Sequence, residues 1–208
     1  MKIFGIGMNY REHNKELHGT LLNIEDPVVF TKADSALLFG GKPFFVPDYT
    51  QRCEYETELV VKICHLGRSI PERFAHRYYE EVTVGIDFTA RDLQRKLRAQ
   101  GLPWEISKGF DGSAVVGEWV SKDQLPDIQD LHFSLDINGQ EVQKGHTADM
   151  VFSVDRLVSY ISQFFTLKTG DLIYTGTPAG VGPIAAGDVL VGTIEGLLPV
   201  SLTITEAE

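Results

Sequence analysis

Apolar positions along this chain fall mostly into short runs of period two broken by Gly and Pro, and only a few stretches carry a helical period. The clearest hairpin is Leu131-His132-Phe133-Ser134-Leu135-Asp136-Ile137, strictly alternating, then Asn138-Gly139 and a return through Gln140 to Gln143. Helices are expected over 70–81, with Ser69 as cap and Pro71 in the first turn, and over 89–100, with Thr89 as cap and Gly101 as stop. From Asp149 to Phe165 the set Met150, Val151, Val154, Leu157, Val158, Ile161 and Phe165 recurs at helical spacing, which predicts the longest helix with Asp149 capping it. The segments Leu172–Thr175 and Val189–Thr205 are β-branched and Gly-interrupted. Together these elements predict an α+β, mostly β architecture, a mixed sheet rolled on itself with a few peripheral helices, rather than alternating βαβ units.

Composition narrows the picture. A chain of 208 residues that is 43% apolar can bury one substantial core, and one domain over 1–208 is expected. A net charge of −10 argues against nucleic acid or an anionic membrane as partner, either of which needs a basic face. No apolar run approaches the ~20 residues of a membrane span, and Met1–Gly7 is too short and glycine-broken for a signal peptide, so a cytoplasmic protein is expected. Cys53 and Cys64 suggest neither a disulfide framework nor a zinc site.

Candidate chemistry begins at Glu56 and Glu58, two apart at the opening of the apolar run Leu59-Val60-Val61. Strand residues two apart share a face, and two neighbouring carboxylates repel unless a cation lies between them. With 29 acidic residues in 208, independent placement yields roughly four such pairs, so spacing alone is weak. The setting strengthens it, because a strand about to be buried must pair or ligate its carboxylates. Asp87, ending the run Val82–Ile86, is a third candidate ligand, and an all-carboxylate set favours magnesium or manganese over zinc. Glu54 lies further out on the same face, as a solvated group or one behind the ligands. His13 and Glu16, three apart on a helical turn, form a second cluster in which a carboxylate can orient an imidazole. The segment Thr175–Gly182 lacks the lysine of a phosphate loop and reads instead as a turn presenting the Thr177 hydroxyl and backbone N–H groups to a substrate carboxylate.

The motifs, taken in order, are Gly7-x-Asn9-Tyr10-x-x-His13-x-x-Glu16, Tyr55-Glu56-x-Glu58-Leu59, Asp87-x-Thr89-x-Arg91-Asp92-x-Gln94, Pro103-Trp104 with Lys108, and Gly170-Asp171 before Thr175-Gly176-Thr177-Pro178. Their combination resembles the fumarylacetoacetate hydrolase superfamily over essentially the whole chain, at the size of the catalytic domain alone. The resemblance implies that Glu56, Glu58 and Asp87 hold Mg2+ or Mn2+, that His13 and Glu16 activate water, and that Lys108 stabilises developing negative charge. It implies substrate-holding roles for Arg91 and Gln94, which lie four and seven residues after Asp87; bracing of the metal carboxylates is the equal alternative for Arg91.

The activity implied is metal-dependent chemistry on a 2-oxo or β-diketo acid through a stabilised enolate, with carbon–carbon hydrolysis of an acylpyruvate first. Isomerisation or tautomerisation and decarboxylation are the alternatives, and a non-catalytic metal- or ligand-binding protein is the second. A small-molecule substrate and a homodimer are the expected partners, with Phe44, Phe45, Phe164 and Phe165 either covering a partner or filling the core. Ala33 replaces a common family proline after Phe30-Thr31-Lys32, and the segment from Glu12 to Glu25 is short, so an unusual lid is expected.

Overall fold

The computed structural model of the chain describes residues 1–18, 24–195, 197 and 199–206, without the side chains of Asn14, Glu16, Leu17 and His18. Residues 19–23 of the short segment from Glu12 to Glu25 therefore lie outside the described residues.

The expected mostly-β roll is what forms. An eight-stranded mixed sheet runs Val28–Lys32, Ile3–Gly7, Leu172–Tyr174, Thr57–Ile63, Tyr79–Asp87, Ala114–Val116, Leu37–Phe39, with Val120–Ser121 beside Tyr79–Asp87. Two of its pairings are parallel, Ile3–Gly7 with Leu172–Tyr174 and Leu37–Phe39 with Ala114–Val116. A five-stranded sheet carries the hairpin His132–Ile137 and Gln140–His146, then Val189–Ile194, Val200–Glu206 and Phe44–Val46. A small third sheet joins Gly182–Pro183, Cys53–Tyr55 and Thr89–Ala90. Leu59, Val61, Val82, Val84, Leu135, Leu190 and Leu202 lie in one continuous core, so side chains from the two larger sheets share it.

The hairpin forms at the expected turn, where Asn138 and Gly139 both take positive φ (53° and 80°), the geometry that matches strand twist. The helix expected over 70–81 is a single turn, Glu72–Ala75. Its second half is instead the strand Tyr79–Asp87, paired with Thr57–Ile63 so that Tyr79 faces Ile63 and Glu81 faces Lys62; ladder pairing outweighed helical periodicity. The next helix is Arg91–Ala99, stopped at Gly101 as expected (φ 66°), but Thr89 does not cap it. Thr89 pairs with Glu54 in the small sheet, and Ala90 opens the helix with no side-chain cap. The longest helix, Val154–Phe164, starts later than expected, because Ser153 caps it by accepting the Arg156 N–H, while Asp149 closes a separate turn, Thr147–Asp149. Of the four phenylalanines, Phe44 is buried and stacked on Phe88 at 3.9 Å, whereas Phe45, Phe164 and Phe165 stay substantially exposed.

Candidate active site

Each carboxylate of the cluster arrives on a different piece of the roll. Glu56 lies between the strands Cys53–Tyr55 and Thr57–Ile63, Glu58 on the latter, and Asp87 at the end of the neighbouring strand. The Asp87 N–H donates to the Glu56 carbonyl at 2.8 Å, which locks the two segments together where their side chains converge. All three side chains are buried, and one oxygen from each lies within 4.8 Å of the other two. Among the described residues this is the one grouping of three such side chains with ligand atoms so close.

Buried cations surround the cluster. The Lys108 ammonium, carried on the one-turn helix Glu105–Lys108, lies 2.7 Å from Glu56 Oε2 and 2.9 Å from Asp87 Oδ2. Burial works against its charge, but Asp87 and Glu56 outweigh burial and raise its pKa, so Lys108 is held protonated. Arg91 donates from Nε to Glu54 Oε2, from one terminal nitrogen to Glu56 Oε1, and from the other to Gln94 Oε1 at 2.6 Å. Of its two expected roles, this geometry is the bracing one. Glu54, buried and bound to Arg91 and Arg52, is not solvated; it stands behind the cluster.

Lys32 is a site residue that the motif reading passed over. Its buried ammonium lies 2.6 Å from Asp87 Oδ1 and also donates to the Lys108 carbonyl and to Ser113 Oγ at 3.1 Å. Strand alternation carries the signal that would have found it, since Lys32 shares a face with buried Phe30 in Val28–Lys32. Burial dominates and pulls its pKa down against the pull of Asp87.

The two neighbouring glutamates differ in charge environment. Burial pushes Glu56 up, but Lys108 and Arg91 overcome it and hold its pKa well below the carboxylate range. Glu58 is pushed well above that range by burial, then by Asp87 and Glu56; the Gly176 N–H, at 2.6 Å from its Oε2, offsets only part of this. A buried carboxylate whose pKa is driven up by two others beside it marks a place where negative charge gathers without a cation in contact. Oxygen donors alone, close together and short of positive charge, suit a hard divalent cation.

One cleft exposes this chemistry. Its lining includes His13, Glu56, Arg91, Lys108, Trp104 and Arg98. Asn9, just ahead of the helix that carries His13, donates from its side chain to the carbonyls of Phe152 (3.1 Å) and Thr175 (2.7 Å) and accepts from the Phe152 N–H (2.8 Å). Those bonds tie the start of the Arg11–His18 helix to the Thr175-Gly176 turn that binds Glu58. The Glu16 side chain lies outside the described residues, so the His13–Glu16 pairing has no described geometry. Gln94 and Thr177 both line the cleft. The Thr177 hydroxyl donates to the Thr57 carbonyl at 2.8 Å and accepts from Gln143 at 2.7 Å.

The rolled sheet and its carboxylate cluster define an enzyme of the fumarylacetoacetate hydrolase class, and the comparisons agree. The chain belongs to the family described as fumarylacetoacetate (FAA) hydrolase C-terminal, matched over residues 2–205. It is 38% identical over 203 residues to oxaloacetate tautomerase FAHD1, mitochondrial, of Mus musculus, covering 98% of this chain and 91% of the mouse protein. It is 39% identical to oxaloacetate decarboxylase, mitochondrial, of Dictyostelium discoideum, covering 94% and 89% of the two chains. Its structure matches fumarylpyruvate hydrolase from Pseudomonas aeruginosa, solved in complex with Mn2+ and pyruvate, with a TM-score of 0.94 at 35% identity and coverage of 100% and 90%. No helix among the described residues is long and apolar enough to cross a membrane.

Proposed function

We propose that the chain interconverts the keto and enol forms of a small 2-oxo acid such as oxaloacetate, using Mg2+ or Mn2+ held by Glu56, Glu58 and Asp87. The observation that carries this reading is the meeting of an imidazole, His13, and a buried ammonium, Lys108, in the lining of one cleft beside the three carboxylates. A divalent cation at those carboxylates supplies Lewis-acid stabilisation of negative charge on the 2-oxo oxygen.

The residues divide the remaining work. An imidazole nitrogen of His13 takes the proton from the carbon next to the 2-oxo group as the C–H bond breaks, and the enolate oxygen takes a proton from water on leaving as the enol; in the other direction the enol O–H proton is lost to water and His13 returns a proton to carbon. Lys108 Nζ stays protonated and faces the charge that develops on oxygen, a preorganised ammonium in a site lined by Phe30 and Trp104. Arg91 and Lys32 fix Glu56 and Asp87, and Gln94 is set by Arg91 to meet the substrate. Trp104, Ile6 and Met8 limit water at the cleft.

Relatives named as an oxaloacetate tautomerase and an oxaloacetate decarboxylase support this order of preference. Hydrolysis of an acylpyruvate is the second reading, favoured by the near-superposition on fumarylpyruvate hydrolase, and there His13, with Glu16, would activate water instead. The test is protein stripped with chelator and refilled with Mg2+, given oxaloacetate and acetylpyruvate, with enol loss followed optically and products identified. Enol-to-keto conversion without carbon dioxide or acetate supports the proposal. Acetate and pyruvate from acetylpyruvate select the second reading, and no turnover of either acid refutes both. A homodimer is proposed with it, Phe45, Tyr49 and Ile106 being exposed apolar side chains available to a second copy, and sedimentation decides. A cytoplasmic location is proposed from the acidic composition; two relatives carry "mitochondrial" in their names, and cell fractionation separates the two.

A further inference from the structure

We infer that Arg98 reads the far end of the substrate and selects 2-oxo acids that carry a second carboxylate there. The inference rests on the 2-oxo acid reading above and adds to it a residue that sets specificity.

Arg91, Gln94 and Arg98 follow one another at helical spacing on Arg91–Ala99, and all three line the cleft. Their exposure rises along that face: Arg91 and Gln94 are buried, and Arg98 is partly exposed. The helix therefore leads from the carboxylate cluster out to the cleft mouth. Seven residues advance the axis by about 10 Å, and helical side chains lean back toward the N-terminus, so the long Arg98 stem points toward the cluster rather than away from it.

Charge assigns different work to the cations of the lining. Lys108 is engaged by Glu56 and Asp87, and Arg91 by Glu54 and Glu56, so both serve the inner end, where a 2-oxo carboxylate would bind. Arg98 joins the cleft lining further along the helix, and the same lining includes apolar residues such as Trp104 and Met8, which strengthen any ion pair formed there. Burial, followed by the proximity of Arg91, lowers the pKa of Arg98, which is the response of a cation in a positive, partly desolvated setting. A planar guanidinium at such a place fits a carboxylate through two parallel hydrogen bonds.

The test needs no turnover. Mg2+-loaded wild type, R98Q and R98K are titrated calorimetrically with 2-oxoglutarate and 2-oxopentanoate, acids of equal length that differ only in a terminal carboxylate or methyl. The wild type should prefer the diacid by about tenfold or more, the worth of one charge-assisted contact. In R98Q the ratio should fall toward one, and R98K should keep part of it, which a merely structural loss would not produce. A wild-type ratio near one, or an unchanged ratio in R98Q, overturns the role of Arg98 and leaves the 2-oxo acid reading standing; the wild-type arm tests it even where a variant folds poorly. Failure of both acids to bind wild type overturns the 2-oxo acid reading and the Arg98 assignment together.

Discussion

Glu58 allows a test of the metal site by stability alone. In the cation-free protein its pKa is raised, by burial first and then by Asp87 and Glu56, so the folded state holds a proton that the unfolded state releases above about pH 4.3. For a raised pKa the sign is fixed: the contribution to stability is complete below the unfolded value and is lost as pH rises through the folded one. Glu56, with its lowered pKa, behaves oppositely, contributing above about pH 4.3 and failing as pH falls, so its share is already constant near neutrality. Between those limits each pH unit costs the cation-free protein about 1.4 kcal/mol through Glu58. For a chain of this length that is roughly 3–5 °C in Tm. A divalent cation must displace the same proton, so its affinity climbs about tenfold per pH unit over that window. Mg2+ at a hundred times its Kd adds about 2.7 kcal/mol. Thermal unfolding with Mg2+ and with chelator from pH 5 to pH 8 should therefore show a Mg2+ increment that widens with pH until the folded value of Glu58 is passed and then levels off. E58Q keeps an acceptor for the Gly176 N–H but carries no titrating proton, so it should flatten the pH slope of the cation-free protein and lose most of the Mg2+ increment. An increment that widens nowhere between pH 5 and 8, or one that survives in E58Q, refutes the placement of the cation at these carboxylates.

Other substitutions probe the surrounding cations. R91M leaves Glu54 and Glu56 buried without their shared partner and should cost about 3–5 kcal/mol in denaturant unfolding, with E54Q/R91M recovering part; a loss under 1 kcal/mol counts against the bracing role. K108M should cut kcat by roughly 10²–10³ while Mg2+ binds as tightly or more tightly by calorimetry, since the ammonium competes for Glu56 and Asp87; weakened metal binding would contradict that geometry. G176A places a Cβ 2.8 Å from that of Asn9 at a φ of 101° and should cost about 1–3 kcal/mol, together with weaker Mg2+ binding, and an unchanged Tm would show the turn to be slack.

Legibility in the sequence followed the range of the interaction that decides each feature. The hairpin at Asn138-Gly139 and the helix stop at Gly101 rest on local backbone preference, and both stand where the pattern placed them. The segment Tyr79–Glu81 and Thr89 failed as helix because their partners, Lys62 with Ile63 and Glu54, lie far away in sequence and their ladders override local period. Among the site residues, Glu56, Glu58 and Asp87 announced themselves by spacing and impending burial. Lys32 did not, since a lysine at a strand end has the same local signature whether it snorkels to water or, as here, turns inward to Asp87 and the Lys108 carbonyl. Glu54 was ambiguous for a related reason: its burial depends on Arg91 crossing from another element.

Charge balance connects the cluster to the substrate. Four buried carboxylates, Glu54, Glu56, Glu58 and Asp87, stand against three buried cations, Lys32, Arg91 and Lys108. Glu54 is met by Arg91 and Arg52, Glu56 by Arg91 and Lys108, and Asp87 by Lys108 and Lys32, whereas Glu58 is in no ion pair among the described residues and its pKa is raised. A divalent cation would answer the unpaired charge of Glu58 and leave one positive charge over, which a single 2-oxo carboxylate neutralises. A second carboxylate on the substrate would again leave the cleft one charge short, and Arg98 at its outer end restores the balance. A monoacid makes no ion pair with that guanidinium. Selectivity for the diacid therefore follows from the same count that calls for the metal, and the two should fail together when Glu58 is made neutral and Arg98 is removed.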